Sequence, residues 1–295
     1  MSAETVSTEA LSTEALQGNR SRGRSLRGSL LASELLTLFR RRRTQAILAV
    51  LAGVPVLIAV AVRLSSRSPR GGGPPLLDRV TQNGLFVGVT ALIVSIPLFV
   101  PLAIGVVAGD TIAGEANLGT LRYLLTAPAG RSRLLLVKYL GAAVFCVAAT
   151  LTVVIAGAII GWLLFPVGPV TLLSGDTVGV GESIVRALLI AGYVSISMLG
   201  LSAVGLFVST LTEIPVGAMA ATVTLAVASQ ILDGIPQVEW MHPWLFSHHW
   251  LDLGDLLRTP IIWDSLIANV WLQLGYVVVF GALAWARLTT KDVLS

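Results

Sequence analysis

Six stretches of this 295-residue chain run for roughly a bilayer's thickness with almost no charge. They are Thr44–Leu64, Leu85–Ala108, Tyr139–Phe165, Ala187–Thr210, Val216–Leu232 and Leu266–Trp285. About 20 apolar residues in a helix cross the roughly 30 Å hydrocarbon layer. Five stretches reach that length; Val216–Leu232, with 17 residues, sits at its lower edge and can borrow from Gly234–Pro236. Buried helices of a soluble protein would need polar faces to cover them. Only 12% of the residues are charged and mean hydropathy is +0.83, so that cover is missing. The fold expected is therefore all-α: a polytopic membrane protein with six transmembrane helices. A soluble enzyme and a disulfide scaffold are both excluded, the latter because Cys146 is the single cysteine.

The flanking segments set the topology. Residues 1–28 are polar and carry STEAL twice in tandem, Ser7–Leu11 and Ser12–Leu16, which reads as a disordered tail. Ser29–Arg43 gathers Leu30, Leu31, Leu35, Leu38 and Phe39 on one helical face, with Glu34 and Arg40–Arg43 elsewhere. Such a pattern suits an amphipathic helix in the headgroup layer. With both termini in the cytoplasm, 14 of the 20 basic residues fall inside and six (Arg63, Arg67, Arg70, Arg79, Arg186 and Arg258) outside. This asymmetry favours a plasma-membrane protein with that orientation. The arginines read as a topology signal and a lipid contact, not as a nucleic-acid patch, because no polar domain stands behind them.

Asp110–Tyr139 is the longest inward loop, DTIAGEANLGTLRYLLTAPAGRSRLLLVKY. Gly119-Thr120 can end one helix and cap another, Ala127–Gly130 is a turn, and Ser132 can cap the third span. Arg131, Arg133 and Lys138 are expected at headgroup level. The pattern Glu115-x-x-x-Gly119-Thr120-x-x-x-Leu124-Leu125-x-x-Pro128-x-x-Arg131, followed by Lys138 at the start of a span, resembles the signature of ABC-2 type permeases. These are the membrane subunits of ATP-binding-cassette exporters. The resemblance takes in the basic amphipathic N-terminal helix, the six spans and the position of the loop between spans two and three.

That resemblance implies a coupling helix in the loop, seated in a groove of a separate ATPase subunit. Asp110, Glu115, Gly119, Thr120, Leu124, Leu125, Pro128 and Arg131 are then transmission residues, not catalytic ones. Two copies of the ATPase are implied, with ATP and magnesium bound there, and a second permease chain, identical or related. The chain itself holds no cofactor on this reading. Its two lysines, Lys138 and Lys291, stand in no G-x-x-x-x-G-K-[ST] loop, so the ATPase site belongs elsewhere. The expected function is ATP-driven export of a hydrophobic or amphipathic cargo such as a lipid, a drug or antibiotic, or a peptide.

Other groupings leave alternatives open. His242, His248 and His249, near Asp252 and Asp255 in a tryptophan-bearing outer loop, are metal-ligand types. A membrane-embedded metal enzyme is one alternative, interfacial packing the other; a carrier working without ATP is a third. Gln230, Asn269 and Gln273 are polar groups within spans, either hydrogen-bonding between helices or lining a substrate path. No acidic or basic residue lies in the middle of a span, which counts against proton or sodium coupling.

Overall fold

A computed structural model describes residues 30–65, 83–119, 130–172 and 174–290. The expected N-terminal tail and the arginine-rich part of the first outer loop lie outside these residues, as do Thr120, Leu124, Leu125 and Pro128. Nine α-helices are described: α1 (30–40), α2 (Arg42–Ser65), α3 (Phe86–Ser95), α4 (Phe99–Asn117), α5 (Arg131–Leu164), α6 (Val180–Ser197), α7 (Leu199–Leu211), α8 (Pro215–Asp233) and α9 (Asp264–Thr290). Six helices, with α6 and α7 taken as one, are long and apolar enough to cross a membrane. The chain is thus an all-α polytopic membrane protein. Its one sheet among the described residues is a hairpin of β1 (Val170–Thr171) and β2 (Thr177–Val178), antiparallel with Val170 opposite Val178. The hairpin packs Val170, Leu172 and Val178 over the ends of α2 and α3.

Two spans depart from simple rods. The stretch expected as one helix over Leu85–Ala108 is two, α3 and α4, separated at Ile96–Leu98. Pro97 has no amide hydrogen for the ladder and its ring crowds the preceding turn. Beyond the break the helix continues to Asn117, so Asp110 and Glu115 stand on its last turns and not in a loop. The fourth span changes course at Met198, between α6 and α7. The third helix begins at Arg131, eight residues before the expected span. Gly130 precedes it without a side-chain cap, and Ser132 accepts a hydrogen bond from Trp285 Nε1 at 2.8 Å.

Helix α1 is tied into the bundle. Leu38 and Phe39 pack against the main core, and the Phe39 and Phe145 rings stand 6.5 Å apart. Glu34 shares this inward face, against the expectation that it would point elsewhere. The core runs through α3, α4, α5, α6 and α7, centred on Leu92, Ile104, Phe145, Ile190, Met198 and Leu201. By contrast α8 and α9 keep most of their apolar surface outward, where lipid is the solvent.

Glycine pairs let the central helices approach. A Cβ on Gly157 would lie 2.3 Å from Gly88 Cα, and one on Gly84 would lie 2.3 Å from Gly161 O. Gly84-x-x-x-Gly88 on the α3 side thus meets Gly157-x-x-x-Gly161 of α5, backbone against backbone. Close van der Waals packing of this kind holds helices together in lipid, where burial of apolar surface gives no net drive. Gly109 of α4 sits equally tight against the Ala218–Met219 backbone of α8. Replacing Gly157 by Leu is expected to abolish recovery of monodisperse protein from detergent on a size-exclusion column. Gly275→Ala, where a Cβ meets open space, should leave the elution profile unchanged.

Candidate functional site

The chain carries six charges together where α1, α2, α4 and α5 meet. Lys138, only 4% exposed on α5, donates to Glu34 Oε1 of α1 at 2.9 Å and to Glu115 Oε1 of α4 at 3.0 Å. Arg41, at the α1–α2 junction, lies 3.1 Å from Asp110 and 3.9 Å from Glu115. Arg43 also pairs with Asp110. Three acids (Glu34, Asp110 and Glu115) thus face three bases (Arg41, Arg43 and Lys138), and the cluster is neutral as a whole. A buried ammonium needs such company: stripping one partner from a buried pair costs about 3–5 kcal/mol, because the other charge is left uncompensated. The arginine pairs are more exposed and contribute less each.

Both ends of the loop between α4 and α5 are therefore anchored, in different ways. Gly119 closes α4 with φ 69°, its amide donating to Ala116 O. That left-handed conformation costs other residues roughly 1–2 kcal/mol. Just before it, Ser209 Oγ of α7 accepts from the Ile112 and Ala113 amides at 2.9 and 2.8 Å, tying α4 to α7. At the far end Arg131 Nη1 donates to the carbonyls of Leu288 and Thr289, at 3.1 and 2.8 Å. It caps the C-terminus of α9 in the way a cation complements a helix's negative end. Leu118 and Leu136, on the two sides of the loop, are well exposed.

Of the sequence-expected transmission residues, the structure brings Asp110 and Glu115 into one cluster. Gly119 and Arg131 flank the loop. Lys138 is the buried centre of the cluster. Sequence reasoning missed the parts of Glu34, Arg41 and Arg43. A lone lysine at the start of an apolar run, facing acids at the end of another, was the available signal.

Gln230, Asn269 and Gln273 are committed to the helix breaks. Pro97 O would normally receive the amide four residues on, but that residue is Pro101 and has none; Gln230 Nε2 donates to it at 2.9 Å. At the other break Gly200 N donates to Gln273 Oε1 at 3.2 Å, while Gln273 Nε2 donates to Phe246 O and to Asn269 Oδ1. Asn269 Nδ2 donates to Ser197 Oγ at 2.7 Å. Asn269 and Gln273 are fully buried among these partners.

The histidines face separate partners. His248 Nδ1 bonds Asp233 at 2.6 Å, His249 Nδ1 bonds Asp252 at 2.7 Å, and His242 Nε2 meets Ile235 O. Among the described residues no three ligand-type side chains converge as a metal site would require. Nearby, Trp240, Trp244 and Trp263 are exposed as interfacial anchors would be, but Trp250 is core, donating to Ser197 O at 2.9 Å.

A bundle with six helices long and apolar enough to cross a membrane belongs to the class of multi-pass membrane proteins. Residues 30–229 match the family model for ABC-2 family transporter proteins, a stretch running from α1 into α8. The chain belongs to that family, and so is the membrane subunit of an ABC transporter, a class that works with an ABC ATPase. Among curated proteins none matches the chain.

Two expected outcomes follow from the bonding. Gln273→Leu strands the Gly200 amide and should lower stability by about 1–3 kcal/mol, read as an earlier unfolding transition in detergent. In Arg131→Ala, hydrogen exchange should rise at the amides of 286–290 and stay unchanged at the other end of α9.

Proposed function

We propose that this chain moves a hydrophobic or amphipathic cargo out of the cell, driven by ATP hydrolysis on a separate subunit that docks at the loop between α4 and α5. The observation that carries the reading is the pair of anchors on that loop. A push on it passes between α4 and α5 through Glu115 and Lys138, and reaches α9 through Arg131. Asp110, Glu115, Gly119 and Arg131 transmit force on this view. Thr120, Leu124, Leu125 and Pro128 would provide the docking face. Both termini and the loop would then lie in the cytoplasm, in keeping with the arginine bias.

Two copies of the ATPase, each binding ATP and magnesium, and a second permease chain complete the proposed assembly. The surfaces support that cargo class. Two apolar grooves of about 580 and 520 Å³ flank α6, sharing Leu188, Gly192 and Ile196. Neither offers a charged side chain among the residues lining it, and an ion or sugar would lose its hydration there without replacement.

The test is co-expression with a candidate ABC ATPase and reconstitution in liposomes containing a fluorescent phospholipid. Wild type should co-purify with the ATPase and move the probe only with ATP. Glu115→Lys and Gly119→Trp should keep ATP hydrolysis yet reduce movement about tenfold, equivalent to 1.4 kcal/mol of lost coupling. Failure to bind any ATPase, or unchanged movement in both variants, would refute the reading.

A further inference from the structure

The charge cluster reaches further than the loop needs. An isolated coupling loop would require firm joints only to α4 and α5, which it connects. Yet Lys138 also holds Glu34 of α1 at 2.9 Å, and the α1–α2 junction reaches back to Asp110 through Arg41 and Arg43. Helix α1 adds an apolar contact through Phe39 and Phe145, but Lys138 is the link nearest the loop. Its side chain is 4% exposed, and its ammonium sits between an acid of α1 and an acid of α4. Water does not compete for a pair so placed, and salt screens it weakly. The three helices are joined through one group.

We infer that Lys138 is a positioning residue: it makes α1 and α2 move as one body with α4 and α5 when the loop is driven, so that the N-terminal helix is part of the transmission. This rests on the proposed coupling role of the loop and adds to it a route to the first span. Glu115 then has two tasks, holding the end of α4 and orienting Lys138 towards Glu34. The route runs from the loop to Glu115, to Lys138, to Glu34, and so to α1 and α2.

The arrangement permits a test that leaves the fold intact. Glu34→Gln with Lys138→Met removes one acid and one base, so no buried charge is stranded and Glu115 keeps Arg41 as a partner. A second variant replaces the ion pair by a covalent link. A Cβ on Gly141 would lie 3.7 Å from Glu34 Cγ, so the two positions face each other and Glu34→Cys with Gly141→Cys is expected to cross-link on oxidation. Cys146, buried beside Ser202, is out of reach of reagents.

Spin labels on unnatural amino acids at Leu64 and Ile231, exposed at the ends of α2 and α8 away from the loop, report movement of the first span without cysteine chemistry. In the reconstituted complex with the ATPase, the wild-type distance should change on adding ATP and vanadate. The Glu34→Gln, Lys138→Met protein should still bind and hydrolyse ATP, with that change cut by at least about half. Glu34→Cys, Lys138→Met, Gly141→Cys should behave like it when reduced and recover the wild-type change when oxidised.

An undiminished change in the double variant overturns the inference while leaving the coupling reading standing, as does a disulfide that forms without restoring it. Loss of ATPase binding in the double variant also overturns it, since the cluster would then serve docking and not transmission. A wild-type complex that shows no response to nucleotide sinks the coupling reading itself.

Discussion

Inside a bilayer no water is available to complete a hydrogen bond, so every polar group that leaves the regular ladder must find its partner in the protein. The two helix breaks show this directly. Pro97 and Pro101 stand four apart and between them leave the Pro97 carbonyl without a donor; Gln230 reaches over from α8 to supply one. At Met198 the freed groups are met from two directions, by Gln273 of α9 on the Gly200 amide and by Trp250 of the outer loop on the Ser197 carbonyl. Gln230 and Gln273 are thereby placed where the backbone needs them.

The same rule governs charge. Two cations are buried among the described residues, one at each end of the bundle. Arg186 donates to Glu182 and to the carbonyls of Leu256 and Arg258, fixing the loop before α9. Lys138 holds Glu34 and Glu115. Arg186 organises a cap within its own end. Lys138 joins α1, α4 and α5, beside the loop proposed as the docking point for an ATPase. A buried ion pair adds little net stability compared with apolar packing, so its value here lies in fixing which helices meet.

Packing supplies what apolar burial does not. Between helices already in hydrocarbon, contact area and close approach decide association. The reciprocal Gly84/Gly88 and Gly157/Gly161 contacts bring α3 onto α5 with nothing between the backbones. Asn269 and Gln273 add directional bonds between α9, α6 and α7. A bundle built in this way has tightly packed seams near its centre and apolar grooves on its flanks.

The sequence by itself determined the number of spans, because the length and near-absence of charge of six stretches leave a helix across a membrane as the one way to satisfy their backbones. It also marked the loop after the second span and the family, since those signals are local in the chain. Glu34, Arg41 and Arg43 were legible only as a basic, amphipathic segment; their pairing with Asp110, Glu115 and Lys138 joins residues up to 104 positions apart. Likewise the duties of Gln230 and Gln273 depend on which helix lies beside which break. Periodicity records the face a residue occupies on its own helix, whereas partners across a bundle are chosen by how the helices pack, and that only the tertiary structure decided.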